Sequence, residues 1–259
     1  MPRASCPNNS RTDACGFRSR PIIQSWMTEA SESLLDNPIW SSLVSRHASF
    51  ATGGSVARQY RRELGPLAGL REPSSEALME LAKIIPAGDV AVLFLEEQIR
   101  FREDWQIVLE ATMVQMICPS PPPEVITREE IVALGRADYP EMVALAKLTE
   151  PGPFREETAT LGRFVGIRVG QRLAAMAGQR LSPTGFVEVS AVCTHPEFRG
   201  RGFARALVAK VARNIFAAGD IAFLSALKSN TGAIRVYEQV GFRLRREMEV
   251  AVVRPPGAG

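Results

Sequence analysis

Apolar positions along the second half of the chain follow two periods, and each switch between them marks a new element. Residues 107 to 117 (IVLEATMVQMI) are dense in β-branched and apolar side chains and predict a strand. Thr127 with Glu130 three places on forms a capping box, which predicts a short helix to about Gly135, and Asp138 can cap a second helix to about Leu148. Two strands follow, near 163 to 169 and 172 to 179, joined so tightly at Gly170 and Gln171 that they imply a hairpin. After a strand over 186 to 194, the period changes again. Phe203, Leu207, Val208, Val211 and Ile215 share one face of a helix from Gly202 to Ala218, and Gly219 can end it in the left-handed conformation. Residues 221 to 227 (IAFLSAL) read as a buried strand, and Asn230 caps a helix through Val240. Residues 242 to 253 then alternate Phe242, Leu244, Met248 and Val250 against Arg243, Arg245, Glu247 and Glu249, a strand with one wet face. The order is β-α-α-β-β-β-α-β-α-β over residues 105 to 254, an α/β fold with a mixed sheet.

The preceding segment reads as a smaller α/β extension over residues 36 to 104. Asn37 and Pro38 open a helix through His47, a strand pair follows around 48 to 60, then a helix from Ser74 to Ile85 and a strand from Val90 to Leu95. Trp40, Leu43, Ala48 and Phe50 are its expected core. Residues 1 to 35 form a basic tail and 255 to 259 a short terminal one. The stretch CPSPPPE at 118 to 124 holds four prolines, which remove donors and fix φ, so it reads as a stiff connection.

Charge narrows the possible partners. The formal excess of +3 resides wholly in residues 1 to 26, where Arg3, Arg11, Arg18 and Arg20 face only Asp13, so the remaining body is neutral. A phosphate backbone requires clustered positive charge, and nucleic acid is therefore not an expected partner. Met27 reads as an alternative start. No run approaches the roughly 20 apolar residues that span a bilayer, so no membrane partner is expected. Cys6, Cys15, Cys118 and Cys193 lack metal-ligand spacing and there are only two histidines, which fits a reducing cytoplasm and no metal site.

The chemistry concentrates in Val192 to Ala204 (VCTHPEFRGRGFA), where a strand runs through arginines and glycines straight into an amphipathic helix. The first N–H groups of a helix have no intrahelical partner and, with its dipole, favour a phosphate. Gly200 and Gly202 allow close backbone approach and positive φ. The loop Arg199, Gly200, Arg201, Gly202, Phe203, Ala204 resembles the pyrophosphate loop of the GNAT superfamily of N-acetyltransferases, (Gln/Arg)-x-x-Gly-x-(Gly/Ala), with Arg199, Gly202 and Ala204 in its fixed places. Asn230, Ala233, Tyr237, Gly241 and Phe242 match the family's second block, N-x-x-A-x-x-x-Y-x-x-x-G-F.

That resemblance implies a mixed sheet that parts between the strand of Val192 and the strand of Phe223, with acetyl-CoA entering the split and pairing with exposed backbone. It implies acetyl transfer to a primary amine by direct attack, in a monomer or homodimer. Tyr237 is then the acid for the leaving thiolate, or else a packed aromatic. A backbone N–H among Val192, Cys193 and Thr194 would meet the carbonyl oxygen, with Cys193 a small buried residue. Glu188, placed on the face of Ser190 and Val192, is the base, or a solvated carboxylate. His195 is a turn residue or a base. Arg199 and Arg201 face phosphate or solvent, and Asn230 caps its helix and can donate to the cofactor. Glu150 and Phe154 would flank the acceptor. The extension resembles the reduced first half of two-part GNAT proteins, shaping the acceptor pocket or giving support. The alternative function is a non-catalytic acyl-CoA sensor or interaction module.

Overall fold

A computed structural model of the chain describes residues 32–256, so residues 1–31 of the basic tail, with Cys6 and Cys15, lie outside the described residues. The end expected to belong to the tail is instead ordered: Ser33–Leu35 form a helical turn and Leu35 is fully buried. Asn37 accepts a hydrogen bond from the Trp40 N–H, and with Pro38 at the first position it starts α1 (Pro38–Leu43). The helix stops at Leu43, short of the expected His47. The chain then turns into β1 (Ala51–Gly53), β2 (Ala57–Tyr60) and β3 (Ala68–Leu70), a small antiparallel sheet whose third strand the sequence pattern misses. Ser74 caps α2 (Ser75–Ile84) through the Ala77 N–H, and β4 (Ala91–Leu95) follows. Of the expected core, Leu43 is fully buried but Ala48 is exposed. Leu35, Ile39 and Tyr60 take the interior instead.

The second part runs through β5 (Gln106–Ile117), β6 (Ile131–Leu134), α3 (Tyr139–Thr149), β7 (Phe164–Val169), β8 (Arg172–Gln179) and β9 (Phe186–Thr194). It then continues with α4 (Phe203–Ala217), β10 (Ile221–Leu227), α5 (Thr231–Val240) and β11 (Arg243–Arg254). The helix expected from Thr127 is absent. The Thr127 hydroxyl donates to the Glu129 carbonyl at 2.6 Å, and Ile131 to Leu134 pair antiparallel with β7. Strand pairing satisfies every second backbone group of an apolar, β-branched run, and here it outcompetes a local cap. The order is therefore β-β-α-β-β-β-α-β-α-β.

Eight strands make one mixed sheet in the order β4-β11-β5-β10-β9-β8-β7-β6. The strand of the smaller part, β4, pairs with β11, while β5 lies between β10 and β11. One core cluster accordingly mixes Leu35, Ile39, Leu43 and Tyr60 with Met113, Phe186, Phe223 and Met248. Among the described residues, four arginine–aspartate pairs also join the parts: Arg46 to Asp220, Arg155 to Asp89, and both Arg245 and Arg246 to Asp36. Among the described residues, no helix is long and apolar enough to cross a membrane.

Buried between the parts, His47 Nδ1 lies 2.8 Å from the Tyr60 hydroxyl. Burial, aided by the neighbouring Arg46 charge, pushes the imidazole down to about 4. A base whose folded value is depressed contributes stability above its unfolded value near 6.5, and that contribution is lost as pH falls toward 4. Chemical denaturation across this window is expected to show a loss of about 2–4 kcal/mol. The His47→Gln variant should lack most of it.

Candidate active site

The helix α4 begins with unsatisfied donors. Gly200 and Gly202 sit at φ +79° and +78°, and a Cβ on either would meet only open space, so it is the backbone conformation that demands glycine there. The Arg199 N–H bonds to the Pro196 carbonyl, and the first backbone bond of the helix is Ala206 to Gly202. Between them, the N–H groups of Gly200, Arg201, Gly202, Phe203, Ala204 and Arg205 have no partner among the described residues. His195 is committed to the turn before the loop: its Nδ1 accepts from the Glu197 N–H and its Nε2 lies 3.0 Å from Arg172 Nη2. The Phe198 ring anchors the loop from below, with the Arg172 and Arg201 guanidinium carbons 5.3 and 5.2 Å from its centroid.

Beside this helix the sheet parts. Strands β9 and β10 run parallel and pair at Phe186, Val187 and Glu188 with Ile221, Ala222 and Phe223, and there the pairing ends. Strand β10 stays paired with β5 along its whole remaining length, while β9 from Val189 onward is held only by β8. The register between β8 and β9 slips between Met176 and Gly178, where Ala191 takes a left-handed φ of 51°. Such a bulge adds a residue and bends the strand away. It also corrects the expected alternation. Val187, Val189 and Val192 pack on the α4 side, whereas Ala191 and Cys193 pack with Met142 and Leu145 of α3, so Val192 does not share the face of Glu188.

Around the split the polar groups divide into paired and unpaired. Glu188, 1% exposed, accepts from Arg180 Nε at 2.9 Å and Nη2 at 3.1 Å. Past the last pairing, Thr194 Oγ1 on β9 and Ser225 Oγ on β10 are buried with no partner among the described residues. Buried polar groups are rarely left so. The Tyr237 phenol, on α5, is buried and hydrogen-bonds to no described residue. Burial pushes it up to about 12, and charge on Glu188 and then Cys193 adds to the shift, so each of the two lies within electrostatic reach of the phenol. Burial likewise pushes the Cys193 thiol up to about 11, away from a reactive thiolate. The Asn230 side-chain oxygen accepts from the Ala233 N–H at 3.2 Å, capping α5. Its amide nitrogen remains available.

At the end of α3, Glu150 and Phe154 line a cavity of about 320 Å³ with Ala146, Lys147, Gly152 and Pro153. Glu150 holds a left-handed φ of 48°, and Phe154 meets Phe164 edge to face in the cluster that contains Cys193. The sequence reading missed Arg180 and Ser225. Ser225 was findable as the lone polar residue in the apolar strand IAFLSAL, but nothing local in the sequence pairs Arg180 with Glu188.

A helix start rich in free donors, opening beside a split between parallel strands, defines a site for a ligand with a phosphate end and an amide-bearing arm. Acetyl-CoA fits it: the pyrophosphate matches the loop amides, and the arm supplies partners to strand edges and to the orphaned hydroxyls. Comparisons with known proteins agree. The FR47-like protein family matches residues 164–251. A crystal structure of a GNAT-family protein from Novosphingobium aromaticivorans, described as an acetyltransferase, is 38% identical, covers 85% of this chain and 98% of that one, and superposes with a TM-score of 0.79. GCN5-related N-acetyltransferase folds from Kribbella flavida (19% identity, 85% and 95% covered, TM-score 0.58) and an N-acetyltransferase-like protein from Streptococcus suis (14%, 90% and 95%, 0.57) share the fold. A comparison with curated protein sequences finds no match.

The chain belongs to the GNAT family, and it is an acetyl-CoA-dependent N-acetyltransferase. Because Gly202 combines positive φ with unpaired neighbouring amides, Gly202→Val strains the backbone where donors must converge. Calorimetry should find CoA affinity reduced at least about tenfold, or ~1.4 kcal/mol. Unchanged affinity would refute the contact.

Proposed function

We propose that the protein moves an acetyl group from acetyl-CoA directly to a primary amine, with Tyr237 donating the proton to the departing thiolate. The observation that carries this reading is the unpaired phenol, buried beside a strand whose edge has lost its partner. A phenol held protonated to about 12 carries its proton through the whole physiological range. A backbone N–H between Val192 and Thr194 would meet the carbonyl oxygen as charge develops on it, since that stretch of β9 has no neighbour on the β10 side. Asn230 and the loop from Arg199 to Ala204 would hold the cofactor.

Glu188 lies behind the split, paired with Arg180. Arg180 occupies one lone pair on each carboxylate oxygen, so Glu188 would take the proton of an incoming ammonium through water rather than by direct contact. Glu150 and Phe154 would flank the acceptor, in a cavity whose formal charge Lys147 brings to zero.

Thiol release from acetyl-CoA across a panel of amines tests the assignment. Tyr237→Phe is expected to lower kcat by about 10²-fold or more while KM moves little. A kcat equal to that of the parent removes Tyr237 from the chemistry. For Glu188, single substitution leaves Arg180 buried without a counter-charge, a loss of about 3–5 kcal/mol, whereas the volume-matched pair Arg180→Met with Glu188→Leu should fold normally. If Glu188 accepts the proton, that double variant is stable and slow. Parental turnover in it would make the pair purely structural.

A further inference from the structure

The turn that joins β8 to β9 is built around Glu188. Arg180 donates to the carboxylate through Nε and Nη2, and the Leu181 N–H lies 3.4 Å from Glu188 Oε2. The backbone repeats this clasp, with the Arg180 N–H on the Glu188 carbonyl and the Glu188 N–H on the Leu181 carbonyl. The next donor along leaves the turn for the smaller part of the chain: the Ser182 N–H donates to Ser42 Oγ on α1 at 3.0 Å. Ser42 is itself fully buried and held in place, because its hydroxyl donates to the Pro38 carbonyl one turn back at 2.7 Å.

Behind Ser42 the polar network continues. The Tyr60 phenol on β2, 1% exposed, lies beside Ser42 and 2.8 Å from His47 Nδ1, and the Leu161 carbonyl is a further partner of the imidazole. Tyr60 also shares one apolar cluster with Leu181 and Phe186, so the turn packs on the ring whose hydroxyl enters the network. The charges of Glu188 and Arg180 both act on that phenol. A buried polar network of this kind holds one geometry, and here it ends on the residue next to the two that clasp Glu188.

We propose that Ser42 and Tyr60 are positioning residues for acetyl transfer: by holding Ser182 they set residues 180 and 181, and so aim the Glu188 carboxylate toward the water that relays the acceptor's proton. The proposal rests on the reading of Glu188 as the proton acceptor. It makes the smaller part a working piece of the active site, although that part places no group on the reacting atoms. A displacement of about 1 Å at such a carboxylate costs as much as about 10²-fold in rate, which gives a hydroxyl that anchors the turn its leverage.

Thiol-release kinetics on the full chain test this with Ser42→Ala, which removes the acceptor of the Ser182 N–H, and Tyr60→Phe, which keeps the ring. Each is expected to lower kcat at least about fivefold, while CoA affinity by calorimetry stays within about twofold of the parent's. Ile39→Val, a packing change at a fully buried position of the same helix that touches no polar group, should leave kcat within about twofold. On the Arg180→Met with Glu188→Leu background, Ser42→Ala should slow turnover by less than about twofold, since its effect passes through the missing carboxylate. Parental kcat in both single variants, an equal loss in Ile39→Val, or an undiminished Ser42→Ala effect on that background overturns the positioning role and leaves Glu188 as the base. Should Ser42→Ala not fold, Tyr60→Phe carries each of these comparisons. Parental turnover in the Arg180→Met with Glu188→Leu chain removes Glu188 from the chemistry, and this proposal with it.

Discussion

A backbone N–H taken out of water must find a partner, and this fold withholds one at two adjoining places. Strand β9 loses its neighbour after Glu188, and α4 starts with donors that no carbonyl can reach. Each shortage has a local cause. Ala191 in the left-handed region inserts a residue and bends β9 away, and two glycines with positive φ turn the loop so that its amides point outward. The rest of the sheet keeps the gap open. Because β10 is paired with β5 from Phe223 to Leu227, it can part from β9 without becoming a free strand, and because β9 is paired with β8 the same holds on the other side.

The branching point is braced from behind by the smaller part of the chain. Arg180 and Glu188 form their buried pair at the last paired position, and the Tyr60 ring from β2 packs near enough for both charges to act on its phenol. Burial is the larger influence and holds that phenol protonated. Ser42, from α1, accepts the Ser182 N–H at 3.0 Å, fixing the turn between β8 and β9. The extension thus touches the base of the split from one side while contributing β4 to the sheet edge. A strand shared in this way, together with a mixed core, couples the stability of the two parts.

How much of this could be read in advance depended on whether geometry restricts residue type. Positive φ at Gly200 and Gly202 and the cap at Asn230 leave few choices, so the loop and the α5 block were legible. The long periodic run 203–217 declared itself for the same reason, and 243–254 did so as a strand. A register shift between Leu244 and Arg246 nevertheless breaks its expected alternation, leaving Leu244 exposed and turning Arg245 inward onto Gln115. The helix expected at Thr127 failed because a capping box is a local preference of modest strength, and pairing with β7 overrode it. The bulge was not legible at all. Alanine at 191 gives no signal of a left-handed backbone, so simple alternation put Val192 on the wrong face. Strand β3, three residues long, is below what periodicity resolves.

Charge follows the same division between what the fold consumes and what it leaves over. Arginines that join the two parts are matched, often at two points: Arg46 reaches both oxygens of Asp220, and Arg155 both oxygens of Asp89. Such pairs fix geometry and contribute no net field at a distance. Arg199, Arg201 and Arg205 make no ion pair with a described residue, and they cluster where the α4 dipole already presents its positive end. A body that is formally neutral outside its first residues therefore carries a local positive field at the phosphate loop. A polyanion approaching this molecule is drawn to that loop, and the split that receives its arm lies immediately beside it.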